Sequence, residues 1–239
     1  KAAVGMTGNA SIINRYTNMN VWAGEHNDIV NSVGMATYLW DGLFSLSQAQ
    51  YMDDDPSLNA QRISSARLGN GLDVIDGDPG LSGISGDDFF GNFFALSRDA
   101  LEAVAKSLDQ HYPAGNPSAD IDGQYGVIWI DGDATINSTI AVGSLTKSAV
   151  VYVDGNLSLS GGAVIYGVLY VRGQLDVQGT VTVYGSSIVE GDPAMVPTGQ
   201  PAVDGNGTLN LVFAPDLFKA PVLPIDGLGV PIDGSWRDW

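Results

Sequence analysis

GVIWIDGDATIN (126–137), AVVYVDGNLSLS (149–160), GVLYVRGQLDVQ (167–178) and GSSIVEGDPAMV (185–196) are four versions of one unit. Each runs small residue, β-run, charged residue, glycine, polar residue, second β-run. The units begin 23, 18 and 18 residues apart. A period in this range marks a solenoid, in which each unit buries its apolar face against its neighbours. Stacking the units places Asp131, Asp154, Arg172 and Glu190 in one column, and Gly132, Gly155, Gly173 and Gly191 in the next. Asp133, Asn156, Gln174 and Asp192 follow, all able to bond a neighbouring backbone. A second arm, GGAVIYG (161–167) and GTVTVYG (179–185), repeats at the same 18-residue spacing.

Side chains alternate along a strand. With the charged column outside, Ile130, Val153, Val171 and Val189 point inward, as do Ile128, Val151 and Leu169, and further along Ile136, Leu159 and Val177. A column kept entirely as glycine predicts a corner with positive φ or close backbone approach. The fold expected is mainly β: a parallel β-solenoid of 18-residue coils over 126–192, joined to a smaller α/β part. The first coil is longer, and its extra residues fall around Ser144–Ser148, a bulged corner or loop.

At 239 residues and 44% apolar content, the chain is long enough for a substantial core. Thirty-one glycines and 15% charged residues suit a β protein with many corners. Net charge is −17, from 27 acids against 10 bases. That balance argues against unassisted binding of a phosphate backbone, which needs clustered Lys and Arg. Without cysteine there is no disulfide, thiolate metal site or cysteine nucleophile. No apolar run reaches the ~18–20 residues of a membrane helix, and no signal peptide is visible.

In chain order, residues 10–16, 20–22 and 33–40 read as strands, and residues 51–91 as Gly-, Pro- and Asp-rich loop. The doublets Phe89-Phe90 and Phe93-Phe94 should anchor that loop on an apolar surface. Residues 97–111 predict a helix capped by Ser97 or Asp99, with Leu101, Val104, Ala105 and Leu108 on one face and Tyr112-Pro113 ending it. Its apolar stripe should cap the first coil. Past Asp192 the repeat breaks at Pro193 and Pro197. DGNGTLNLVF (204–213) then reads as a terminal coil or a strand returning to the N-terminal part, followed by an extended tail. The expected divisions are therefore 1–125, 126–192 and 193–239.

No catalytic constellation is legible: there is no serine elbow, zinc-protease helix or phosphate loop. His26 and His111 stand 85 residues apart without neighbours at ligand spacing, and read as structural or surface residues. No cofactor is expected. Among the acidic pairs, Asp53–Asp55 or Asp76/Asp78 are the better hosts for a structural calcium ion. The column Trp129, Tyr152, Tyr170 and Ile188 alternates to the outer face. Exposed, its aromatics would stack on sugars or grip a protein, which makes Trp129, Tyr152 and Tyr170 the candidate partner surface. The reading favoured over this one is that the helix or the N-terminal strands lie over them.

NASIINRYTNMNVWAG near the start, DVIDGDPGLSGISGDDFFGNFF, the VIWIDGDATIN and VVYVDGNLSLSGGAVIYGVLYV repeats and the terminal GSWRDW together resemble PilX-type pilus-assembly proteins. These are type IV minor pilins of Gram-negative bacteria, and the resemblance covers nearly the whole chain. It implies a non-enzymatic pilus component with a pilin-like α/β part at 1–125. Its partners would be other pilins, with surface or carbohydrate ligands for the solenoid in adhesion, surface contact or DNA uptake. It also implies an extracellular position on the pilus, after passage through the inner membrane. Family members begin with a hydrophobic helix cleaved by prepilin peptidase, which the sequence from Lys1 lacks. The expectation is a soluble region from which that helix has been removed. Bactofilin-like polymer-forming proteins also have short solenoid coils, so a self-polymerising scaffold is the alternative. A solenoid polysaccharide lyase is a weaker one, because the repeats offer only Lys147 and Arg172 as bases.

Overall fold

The computed structural model describes residues 4–6, 9–14, 21–24, 34–40, 60–65, 68–212, 214 and 217. The protein is mainly β, built on parallel sheets. The repeat register is realised strand by strand. Strands β8 (Gly126–Ile130), β11 (Ala149–Val153), β13 (Gly162–Val171) and β15 (Thr180–Val189) pair in parallel. Gly126, Ala149, Gly167 and Gly185 lie opposite one another, as do Ile130, Val153, Val171 and Val189. The second arm forms a separate parallel sheet. There β9 (Ala134–Ile136), β12 (Leu157–Leu159), β14 (Leu175–Val177) and β16 (Val203–Gly205) are neighbours. Strand β10 (Ile140–Val142) pairs with the first half of β13, and β17 (Thr208–Val212) with the first half of β15.

One continuous apolar core joins the two sheets. Ile128, Ile130, Val151, Val153, Leu169 and Val171 from one meet Ile136, Leu159 and Val177 from the other, all fully buried. These are the side chains that alternation predicts to face inward. Corner glycines let successive layers come this close. A Cβ on Gly155 would sit 2.3 Å from the Gly132 carbonyl carbon. At Gly185 the backbone is left-handed (φ 134°), and a Cβ there would lie 2.0 Å from the Gly167 carbonyl oxygen. The extra residues of the first coil form a turn closed by a Ser144–Lys147 bridge, with Leu145 exposed at its tip.

The N-terminal strands extend these same sheets. β1 (Val4–Met6) pairs in parallel with β16, β2 (Asn9–Asn14) with β17, and β4 (Gly34–Trp40) with β2. The expected divisions at 125 and 192 therefore do not divide the sheets. Unpaired edge groups at β16 and β17 are satisfied by the chain's own beginning, an economical way to cover a sheet edge. At the far end β5 (Ala60–Ser65) pairs antiparallel to β4, with a register shift at Thr37/Tyr38. At the opposite end β7 (His111–Tyr112) pairs with β8. A small sheet of β3 (Val21–Trp22) and β6 (Val74–Ile75) adds Val21 and Val74 to the core.

Residues expected as loop contain two short helices, α1 (Pro79–Ser82) and α2 (Gly86–Gly91). The Ser85 hydroxyl accepts from the Asp88 N–H, and Asp87 and Asp88 lie in the first turn of α2 where the helix dipole favours anions. The third helix, α3 (Arg98–Ser107), is capped by Ser97 as expected but is shorter than 97–111. Asp109 takes the left-handed conformation (φ 55°), which aspartate tolerates, and this frees His111–Tyr112 to become a strand. Helix α3 consequently lies on the outer face of β8, and β7 takes the capping position expected of the helix. The short α4 (Ser118–Ile121) buries Ile121 in the main core. Among the described residues, no helix is long and apolar enough to cross a membrane.

Two glycine substitutions separate close approach from mere flexibility. Gly185→Ala should destabilise the fold by about 3 kcal/mol, through overpacking and a forced φ. Gly91, with nothing within 4 Å of its added Cβ, should gain roughly 0.5 kcal/mol as alanine. Equilibrium denaturation measures both; a tolerated Gly185→Ala would disprove the close approach.

Candidate functional site

The candidate surface of Trp129, Tyr152 and Tyr170 is not exposed. The side chains do point away from the main core, but they are 4%, 0% and 0% accessible. They form a second apolar cluster with Phe89 and Phe90 of α2, Leu101, Val104 and Ala105 of α3, and partly buried Ile188. In-register pairing stacks the column itself: ring centroids are 3.9 Å apart for Trp129–Tyr152 and 5.2 Å for Tyr152–Tyr170. Phe90 meets the edges of Tyr152 and Tyr170 at 5.8 and 5.5 Å. The aromatic doublets thus anchor on an apolar surface, and that surface is the column.

Each polar tip of the column finds a carboxylate. Trp129 Nε1–H donates to Asp131 at 2.9 Å, Tyr152 O–H to Asp154 at 3.2 Å and Tyr170 O–H to Glu190 at 2.9 Å. Burial pushes both phenol pKa values up; Arg98 opposes this at each, while Asp154 reinforces it at Tyr152 and Glu190 at Tyr170.

The charged column above is a chain of ion pairs. Arg172 bridges Asp154 (3.1 Å) and Asp192 (3.2 Å). Glu190, almost wholly buried, meets Arg98 from the start of α3 at 2.7 Å. Arg98 also reaches Asp87 at 3.0 Å, the Gly86 carbonyl at 2.7 Å and the Tyr152 hydroxyl, and lies over the Phe90 ring. Burial opposes its charge, but Tyr152, Asp87 and Glu190 outweigh that and raise the guanidinium pKa. A cleft of about 300 Å³ opens here between Asp87, Arg98, Arg172, Glu190 and Asp192.

At the β7 end, His111 Nε2 lies 3.1 Å from Glu102 Oε1 and 3.2 Å from Asp131 Oδ1. Lys106 Nζ sits 2.6 Å from the same Glu102 oxygen, and this is the main reason that carboxyl's pKa is lowered. His111 was legible only as an isolated histidine, because its partners lie in a helix and a repeat with no common sequence motif.

The acidic pairs serve as local caps. Asp78 Oδ1 accepts from Gly80 N–H and Oδ2 from Trp22 Nε1–H, each at 2.7 Å. Asp76 accepts from Asn70 at 3.4 Å. Asp133 and Asp122 accept from the Asn156 and Ala141 N–H groups. Among the described residues, Asp76 and Asp78 are not gathered with a third ligand of the His, Cys, Asp or Glu type. Asp53–Asp55 and His26 lie outside the described residues. Comparison of the chain with protein-family models, characterised proteins and solved structures finds no match.

Arg98→Met should cost about 3–5 kcal/mol, since it strands the Glu190 charge in a buried site. The Arg98→Met/Glu190→Gln double variant should recover more than half of that. Denaturant unfolding of the set decides it, and a neutral single variant would refute the buried pair.

A second expectation concerns alkaline pH. Phenols whose folded pKa is raised contribute stability that is complete below about pH 10, the unfolded value, and is lost as pH rises beyond it. In a spectrophotometric titration, Tyr152 and Tyr170 should ionise only above the main transition, together with unfolding. Ionisation of all nine tyrosines in one step, with the fold intact, would contradict their burial.

Proposed function

We propose that the chain is a non-enzymatic minor pilin of the PilX type, whose parallel sheets form a β-solenoid carried as a rigid head on a type IV pilus. The resemblance-bearing segment GDDFFGNFF supports this reading through its structural role. It supplies α2 and the phenylalanines that seal the aromatic column. The head's presented surface is the outer face of the shorter sheet, where Thr135, Ser158, Asp176 and Asp204 stand in register.

The observation that carries the reading is that the longer sheet ends on both sides in strands that lie outside the repeat. β7 lies at one end and the antiparallel β5 at the other. Parallel layers of a second copy find no matching edge at β5, which favours a display subunit over the bactofilin-like scaffold. The placement of its two bases also weighs against the lyase alternative. Arg172 is held between Asp154 and Asp192, and Lys147 lies 4.5 Å from the Tyr125 ring centroid. The partners are other pilins, and the position is the cell surface, reached through the inner membrane.

In the bacterium that encodes it, the protein should appear in the sheared pilus fraction and disappear from it when prepilin peptidase is inactivated. Retention in the cell body regardless of the peptidase overturns the pilin reading. Filaments of the purified protein in electron micrographs would instead establish the scaffold. With a net charge of −17, the purified protein should show no tight, salt-sensitive binding to immobilised DNA.

A further inference from the structure

We infer that Glu102, His111 and Asp131 form a binding site for a first-row divalent transition ion, with zinc as the probe, which clips the helical cover to the end of the parallel ladder. The donors come from three elements: Glu102 from α3, His111 from β7 and Asp131 from the residue after β8. Their ligand atoms all lie within 4.8 Å of one another. Two of the separations, 3.1 and 3.2 Å, centre on His111 Nε2. Donors around a tetrahedral ion at about 2.0–2.2 Å stand roughly 3.3–3.6 Å apart. The two separations at His111 therefore need only a slight opening to admit one.

Backbone pairing fixes this juxtaposition. Trp129 N–H donates to the Gln110 carbonyl and Asp131 N–H to the Tyr112 carbonyl, each at 2.9 Å. The left-handed turn at Asp109 brings the chain from α3 into that pairing. The Asp131 carboxylate is further oriented by the buried Trp129 indole N–H. Such outer hydrogen bonds hold ligands for a metal.

The donor set selects the ion. His111 Nε2 stands against two carboxylate oxygens, so it either donates a hydrogen bond to one of them or shares a cation with both. One nitrogen with two carboxylates suits zinc and its neighbours, whereas calcium and magnesium prefer all-oxygen sites. The side chains are partly exposed, 23% for His111, 29% for Glu102 and 49% for Asp131, so water completes the coordination. Lys106 competes, because its ammonium occupies the Glu102 oxygen that would ligate the ion. It is itself 54% exposed and free to swing into solvent.

The test is calorimetric titration of the whole chain, stripped with chelator, using zinc chloride, with calcium and magnesium chlorides in parallel. One equivalent of zinc should bind and raise the melting temperature, and the other two ions should not. His111→Gln and Asp131→Asn should each weaken zinc binding by at least about 10-fold, with metal-free melting still cooperative. His26→Gln should leave it unchanged. Lys106→Met, which removes only the competing cation, should tighten binding; unchanged or weaker affinity there counts against the site even if the ligand variants fail to fold. No binding of zinc means that a proton alone joins the imidazole to its two acids, and overturns the inference. Undiminished binding in His111→Gln does the same.

Discussion

Successive backbones meet so closely at the corners that a carbonyl of one layer occupies the place of the next layer's Cβ. At Gly155, Gly167 and Gly185 the approach is 2.0–2.3 Å. That approach leaves no freedom for slippage: each layer lies directly over the last, and equivalent positions stand about 4.8 Å apart. Everything else follows from this alignment. Apolar positions fuse into one core, aromatics become stacks, and charged positions are driven together.

The charged column shows how the last consequence is managed. Four acids in line would repel, and like charges directly opposite destabilise a sheet. The sequence breaks the line with Arg172, which stands between Asp154 and Glu190 in the column and pairs with Asp154 and with Asp192 beside the column. At the column's two ends the acids meet side chains from outside the repeat, Glu190 the Arg98 guanidinium and Asp131 the His111 imidazole. These groups belong to α3 and β7, and the Arg98–Glu190 pair, in balancing a buried charge, also fastens the cover over the aromatic stack. Charge balance and helix docking are one arrangement.

The repeat's register, inward residues and glycine corners were legible because a parallel ladder copies sequence period directly into space. The cap at Ser97 and the inserted turn at Ser144–Lys147 were legible for similarly local reasons. Alternation also placed Trp129, Tyr152 and Tyr170 on the outer face, but it cannot say what covers that face. Phe89 and Phe90 read as loop because six residues of helix with glycine at both ends carry little periodic signal. The end of α3 was missed because Asp109 changes the chain's direction through one backbone angle. The joining of β17 to β2 was one of the two readings of DGNGTLNLVF (204–213), through its echo of the repeat, whereas the pairing of β1 with β16 leaves almost no trace in sequence. Short alternating strands fit many edges, and only the assembled ladder selects one.

That joining sets an order of events for a chain made from its amino end. Asn9 lies beside Thr208 in the ladder, 199 residues away along the chain. Strand β2 therefore emerges from the ribosome well before β17 and waits for the residues between them before that template exists. Closing so long a loop carries a large entropic cost and slows folding, while the local layers between β8 and β15 can zip up one after another. Strand β2 is thus placed on β17 only after the layers between them exist, although it precedes them in the chain.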